Sequence, residues 1–165
     1  MKKFKLYLDA SAIGYLDEQT SPKEMNDMRL LWNEIKQGKY DVALSEVTKV
    51  EINAIKNEEK LETLGRYLNE ITYSTIEIDE DVLKIADLVK SNQLLISDKH
   101  ENDRLHIGCA IVYGCDVLVS YNFKHLVNVR TIKGARAISS LAGYGNIEIM
   151  PAAMLIQKED ESDDN

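Results

Sequence analysis

Apolar and polar positions along the chain switch repeatedly between a period of two and a period of about 3.6. The stretch "FKLYL" (residues 4–8) reads as a strand that stops on Asp9, after which the small residues Ala10, Ser11 and Ala12 lead into a second apolar stretch. In "SPKEMNDMRLLWNEIKQGK", Ser21 stands as N-cap, Pro22 at the first helical position and Glu24 in capping-box spacing, and Gly38 closes the segment, so a helix is predicted there. "YDVALS" (40–45) reads as a buried strand. "EVTKVEINAIKNEEKLETLGRYLNEI" carries two helical segments with apolar positions at Val47, Val50, Ile55, Leu61, Leu64 and Leu68, and "TYSTIEI" (72–78) alternates as a third strand.

Two more helices follow in "DEDVLKIADLVKSNQLL" and "ENDRLHIGCAIVYG", the second ended by Gly114. "CDVLVS" (115–120) is short and almost wholly apolar, as befits a strand in the middle of a sheet covered on both faces. A weaker helix near 133–142, an edge strand in "NIEIM" and a last turn starting at Pro151 complete the pattern. Strands alternating with helices predict a three-layer α/β/α sandwich around a mostly parallel sheet. The pattern shows no repeat and no internal linker, which places one domain over residues 1–156 and an acidic tail over 157–165.

Length and composition support one core: 165 residues, 44% of them hydrophobic, match the ~100–200 residues of a single domain. Of the formal net charge of −8, the segment "KEDESDDN" (158–165) carries −4, so that stretch is expected to be solvated and disordered. The remaining −4 on the body excludes a broad basic surface for nucleic acid, so any such contact has to be local. No apolar run approaches the ~20 residues that cross a bilayer, and "MKKFKLYLDASAIGY" is too short in apolar residues for a signal peptide. A cytoplasmic protein without membrane contact is the expectation. Cys109 and Cys115 lack zinc-like spacing with the three histidines and read as buried free thiols.

Ligands of parallel α/β sheets gather at the carboxyl ends of the strands. Asp9 sits at such an end, and Ser120 and Asn122 sit at another. Glu51 lies four residues after Val47 and four before Ile55, on the apolar stripe of its helix, and Asp103 precedes Ile107 and Ala110 by four and seven. Both acids are expected to point inward and to converge with Asp9. Simpler roles exist for two of them: Asp9 can cap the helix that starts at Ser11, and Asp103 can favour the first-turn dipole. Glu51 is mid-helix with no lysine on its stripe, and a buried unpaired carboxylate is costly. Like charges at contact repel by about 4 kcal/mol at an effective dielectric near 20, so three converging acids call for a cation. Carboxylate oxygens without clustered cysteine or histidine select Mg²⁺ or Mn²⁺, and such a site suits phosphodiester hydrolysis.

At these residues the sequence resembles the PIN-domain ribonucleases, including the VapC-type toxins of toxin–antitoxin pairs. The motifs are "YLDASAIGYL", "LSEVTKVEI" and "NDRLHIGCAIVYGCDVLVSYNFKHL", and the resemblance continues through "AGYGNIEIMP", to about residue 155. It implies a metal-dependent endoribonuclease with Asp9, Glu51 and Asp103 as catalytic and metal-binding carboxylates. Many members carry aspartate where this chain has Asn122, a fourth metal-binding candidate that offers the ion a carbonyl oxygen without charge; where that weakens a second metal position, one ion replaces two. Asp116 starts the same strand, ~16 Å from the active end, and reads as a turn residue. Ser11, Ser120, Lys124 and His125 are candidates for contacts to substrate, with caps, turns and a solvated loop as their ordinary alternatives, and His106 reads as a structural histidine. Members are commonly homodimers neutralised by a small antitoxin that covers the cleft, often through an arginine. The main rival is a catalytically weak PIN-fold module that binds RNA or a protein partner. A phosphatase built on Asp9 would want an acid at position 11, which is serine, and "DASAIG" lacks the glycines of a dinucleotide-binding turn.

Overall fold

The computed structural model describes residues 2–157, so the expected disorder of 158–165 concerns residues outside those described. The described residues form five strands, β1 (Phe4–Leu8), β2 (Tyr40–Ser45), β3 (Ser74–Ile76), β4 (Val117–Val119) and β5 (Glu148–Met150). Seven α-helices connect them: α1 (Ala10–Gly14), α2 (Pro22–Lys36), α3 (Glu46–Asn53), α4 (Glu58–Asn69), α5 (Glu80–Ser91), α6 (Glu101–Val112) and α7 (Val129–Leu141). The sheet order is β3-β2-β1-β4-β5, and every neighbouring pair is parallel. Strand order therefore reverses at β1, and the crevice outside the carboxyl ends of β1 and β4 is the switch point where such sheets bind ligands.

Alternation along the strands sorts the core into two halves. Leu6 and Leu8 of β1, Val42 and Leu44 of β2, and Val117 and Val119 of β4 pack with Leu31, Trp32 and Ile35 of α2 and Leu64 of α4. Tyr7, Ala43 and Leu118 face the other way, against Val82, Ile85 and Val89 of α5, Ile107 and Ala110 of α6, and Ala135 and Ile138 of α7. The three-layer α/β/α sandwich expected from the pattern is the observed architecture.

Differences lie at the element ends. Ser21 precedes α2 but makes no side-chain capping bond, so Pro22 at the first position begins the helix without the capping box. Only Ser74–Ile76 of "TYSTIEI" and Val117–Val119 of "CDVLVS" pair as strand. The helix expected near 133–142 starts earlier, at Val129, because the Asn128 side chain accepts from Thr131 N. Val50 is 67% exposed and α3 ends at Asn53, so the stripe through Val50 and Ile55 does not continue as helix. Gly38 ends α2 in the left-handed region, at φ +79°, as its position predicts.

Helices α5 and α6 pack closely at Gly108, where an added Cβ would lie 2.8 Å from the Val82 carbonyl oxygen and 3.6 Å from Ala86 N. Gly108→Ala must therefore push α5 away and is expected to cost about 1–3 kcal/mol of unfolding free energy in a denaturant titration. Cys109 and Cys115 are buried, and burial raises both thiols to about 12. At pH 8 neither should react with an aromatic disulfide reagent in the folded protein, while both should react once denaturant unfolds it.

Candidate active site

Asp9 follows β1 directly. Its extended backbone and its side chain, which accepts from Ala12 N at 2.9 Å, make it the N-cap of α1. The carboxylate is 3% exposed and is held on both oxygens: Ser11 Oγ donates to Oδ1 at 2.7 Å and Ser120 Oγ donates to Oδ2 at 2.5 Å. Each hydroxyl in turn accepts a backbone N–H from the segment leaving β4, Tyr121 N on Ser11 at 2.9 Å and Asn122 N on Ser120 at 3.0 Å. The two serines thus relay two backbone dipoles onto one carboxylate across the switch point. Asp9 does cap α1, the ordinary role its position allows.

Burial raises the Asp9 carboxyl above its ordinary range, against the lowering pull of nearby His106, the two serine hydroxyls and Ala12 N.

Glu51 reaches inward only partly, with its side chain 35% exposed. Its partner is His106 of α6, whose Nε2 lies 2.5 Å from Oε1. An ionised carboxylate can only accept, so Nε2 carries the proton. His106 Nδ1 meets the Tyr7 hydroxyl at 2.6 Å, and that hydroxyl also contacts Ser45 Oγ at 2.7 Å. Burial holds the Tyr7 hydroxyl well above its ordinary pKa, so it stays protonated. A buried chain Ser45–Tyr7–His106 orients Glu51 from the rear. The structural reading of His106 agrees with its 2% exposure, but the glutamate it holds was not visible as its partner, because 55 residues separate them.

Asp103 lies in the first turn of α6 with its side chain 17% exposed. Its Oδ2 is 3.2 Å from His125 Nδ1, and Oδ1 accepts from the Asn122 amide nitrogen at 3.4 Å. The Asn122 carbonyl oxygen accepts from His125 N at 3.0 Å. Asn122 therefore presents a donor to Asp103 and uses its oxygen on its own loop. Lys124 is exposed beside it. Asp116 sits at the opposite end of the sheet, where its Oδ2 accepts from Lys5 N at 2.7 Å, in keeping with its reading as a turn residue.

The three acids occupy one end of the sheet but are not gathered around one point. Among the described residues, no three acidic, histidine or cysteine side chains are close enough to form a ready-made metal group. Each acid has its own partners: Ser11 and Ser120 for Asp9, His106 for Glu51, and His125 with Asn122 for Asp103.

The chain matches no protein-family profile and no curated protein. It does match solved structures. FitAcB from Neisseria gonorrhoeae is 15% identical, with 90% of this chain and 98% of that chain covered at a TM-score of 0.56. VapBC-1 from nontypeable Haemophilus influenzae is 13% identical over 91% and 99%, with a TM-score of 0.55. VapBC2 from Rickettsia felis, bound to a DNA fragment from their promoter, is 15% identical over 88% and 98%, with a TM-score of 0.54. At these identities the likeness shows the fold: the chain has the PIN-like α/β/α architecture that its motifs imply. Among the described residues, no helix is long and apolar enough to cross a membrane.

Asp9 gives a stability prediction with a definite sign. A carboxyl raised on folding binds its proton more tightly in the folded state, so its favourable contribution is complete below the unfolded pKa and is lost as pH rises through the folded pKa. Asp9→Asn keeps a capping oxygen and removes the buried charge. In chelator it should melt at or above wild type at pH 7, and this advantage should shrink as pH falls through the raised folded pKa and be gone below the ordinary carboxyl range. A mutant that melts lower at pH 7 would show that the serine bonds outweigh desolvation.

Proposed function

We propose that this protein is a metal-dependent endoribonuclease, the toxin of a type II toxin–antitoxin pair. The observation that carries the reading is the Asp9 carboxylate, buried at the switch point and held by Ser11 and Ser120, with Glu51 and Asp103 on the two helices that flank it. The donors are hard oxygens, which fit Mg²⁺ or Mn²⁺, and the desolvated Asp9 is a group that a cation would relieve. The residues that would hold the ion are Asp9, Glu51 and Asp103. Such an ion would make water acidic enough to attack a phosphodiester near neutral pH and would stabilise charge on the leaving oxygen.

The rest is done by the chain itself. Ser11 and Ser120 fix Asp9, the Tyr7–His106 pair aims Glu51, and Asn122 with His125 steadies Asp103. Asn122 acts on Asp103 through its amide nitrogen, which supports one metal ion over two. Lys124 and His125 supply the local contact to RNA that the acidic body otherwise lacks. The solved structures of like fold are VapBC and FitAB assemblies, which supports a small antitoxin as partner, with a basic segment entering the acidic end. A homodimer in the cytoplasm completes this reading.

One observation favours a second reading. Each acid is already paired and no three of them form a metal group among the described residues, as suits a PIN-fold module that binds RNA or protein without cutting. Cleavage of a mixed-sequence RNA separates the two. Activity should vanish in chelator and return with Mn²⁺, and Glu51→Gln should lower it by more than about a hundredfold, beyond the cost of losing an outer partner of a ligand. Metal-indifferent binding without cleavage would establish the non-catalytic module, and a fully active Glu51→Gln would remove that residue from the site.

A further inference from the structure

Beside Asp103 lies a cavity of about 330 Å³, lined in part by Lys124 and His125, to which the reading above gives only a general contact with RNA. Its lining combines three kinds of group. The imidazole rings of His100 and His125 stand together, with centroids 4.2 Å apart and planes inclined at 56°. Leu94 and Ile96 give it an apolar wall, and Lys124 and Arg130 stand at its edge, neither ion-paired to a carboxylate among the described residues. His125 belongs to both places, since its Nδ1 faces Asp103.

The wall is held in an unusual backbone state. Gln93 and Leu95 adopt φ of +64° and +50°, a region that non-glycine residues rarely enter. Buried Arg104, one residue beyond Asp103, pins this segment by donating to the carbonyls of Leu95 and Ser97. Arg130 donates to the Gln93 carbonyl at 2.9 Å, which leaves its other N–H groups available. Backbone strain of this kind persists where surrounding contacts impose it and gathers at ligand sites. Within the cavity wall, His100 Nδ1 is shielded from solvent and has no hydrogen-bond partner among the described residues.

We propose that this cavity is a subsite for one nucleotide of a single-stranded RNA, adjacent to the scissile bond. The base lies against the two imidazoles and the Leu94–Ile96 wall, and its phosphate meets Lys124 and Arg130. Aromatic faces bind unpaired bases, arginine and lysine bind phosphate, and a base kept in a duplex cannot enter so small a recess. The subsite deepens the nuclease reading and rests on it for the position of the cut. It also resolves how an acidic body engages RNA: binding is concentrated in one recess instead of spread over a basic face.

The test measures binding separately from cleavage. The full chain is titrated in chelator with a labelled, mixed-sequence, twelve-nucleotide single-stranded RNA at low salt, and cleavage with Mn²⁺ is followed in parallel. His100→Ala should weaken binding about tenfold, whereas His100→Phe, which keeps an aromatic face, should restore most of it. Arg130→Ala should weaken binding and reduce the slope of log affinity against log salt by about 0.7, as for one phosphate contact on a single strand. The same RNA annealed to its complement should bind far more weakly. Thermal melting identifies any variant that fails to fold, and Arg130→Gln then takes the place of Arg130→Ala. Wild-type affinity in His100→Ala, equal losses in His100→Ala and His100→Phe, or no binding by wild type overturns the subsite. Binding with the expected ranking but no cleavage by wild type in Mn²⁺ supports the subsite and removes the nuclease reading instead.

Discussion

A carboxylate with almost no access to water, placed where the strand order reverses, is the constraint around which this molecule is arranged. Burial raises the Asp9 carboxyl pKa, and the two serine hydroxyls with Ala12 N offset part of that cost. Ser120 reaches it only if β4 pairs with β1 in the observed register, Leu8 beside Val119. A slip by one residue would turn the side chains of β4 to the opposite faces and carry Ser120 away. Sheet register and site geometry are therefore one requirement, and the serine on α1 adds the same demand on the first helix.

Much of the architecture was legible because it rests on local signals. The bounds of β1 and β2, Pro22 at the head of α2 and Gly38 beyond its end follow from alternation and punctuation. Element ends that depend on tertiary pairing were not: β3 and β4 are shorter than their apolar runs, since pairing rather than pattern decides where a ladder stops. At the site, Asp9, Glu51 and Asp103 stood out because an acid on an apolar face or at a strand end is costly and needs a reason. Their partners were hidden. His106 finds Glu51 from 55 residues away, and nothing in the spacing of His100, Arg104 and Arg130 marks them as lining or bracing a recess.

The three acids have partners of different kinds. Asp9 is served by neutral hydroxyls, Asp103 by an amide and an imidazole, and Glu51 by an imidazole tied to a tyrosine. Neutral dipoles and histidines stabilise carboxylates without locking them as arginine forks do, since they lack the bidentate geometry of guanidinium. Asn122 in place of an acid follows the same rule, because it lowers the negative charge of the centre by one while supplying a donor to Asp103.

Tyr7 lies on the central strand, yet its hydroxyl touches residues from β2 and α6, 38 and 99 positions away. Glu51 is thus aimed by a contact whose formation needs β1, β2 and α6 together. Contacts so distant along the sequence cannot form until the chain between them has closed its loops, which slows their formation. A chain emerging from the ribosome therefore has no oriented Glu51 until α6 has been synthesised and packed.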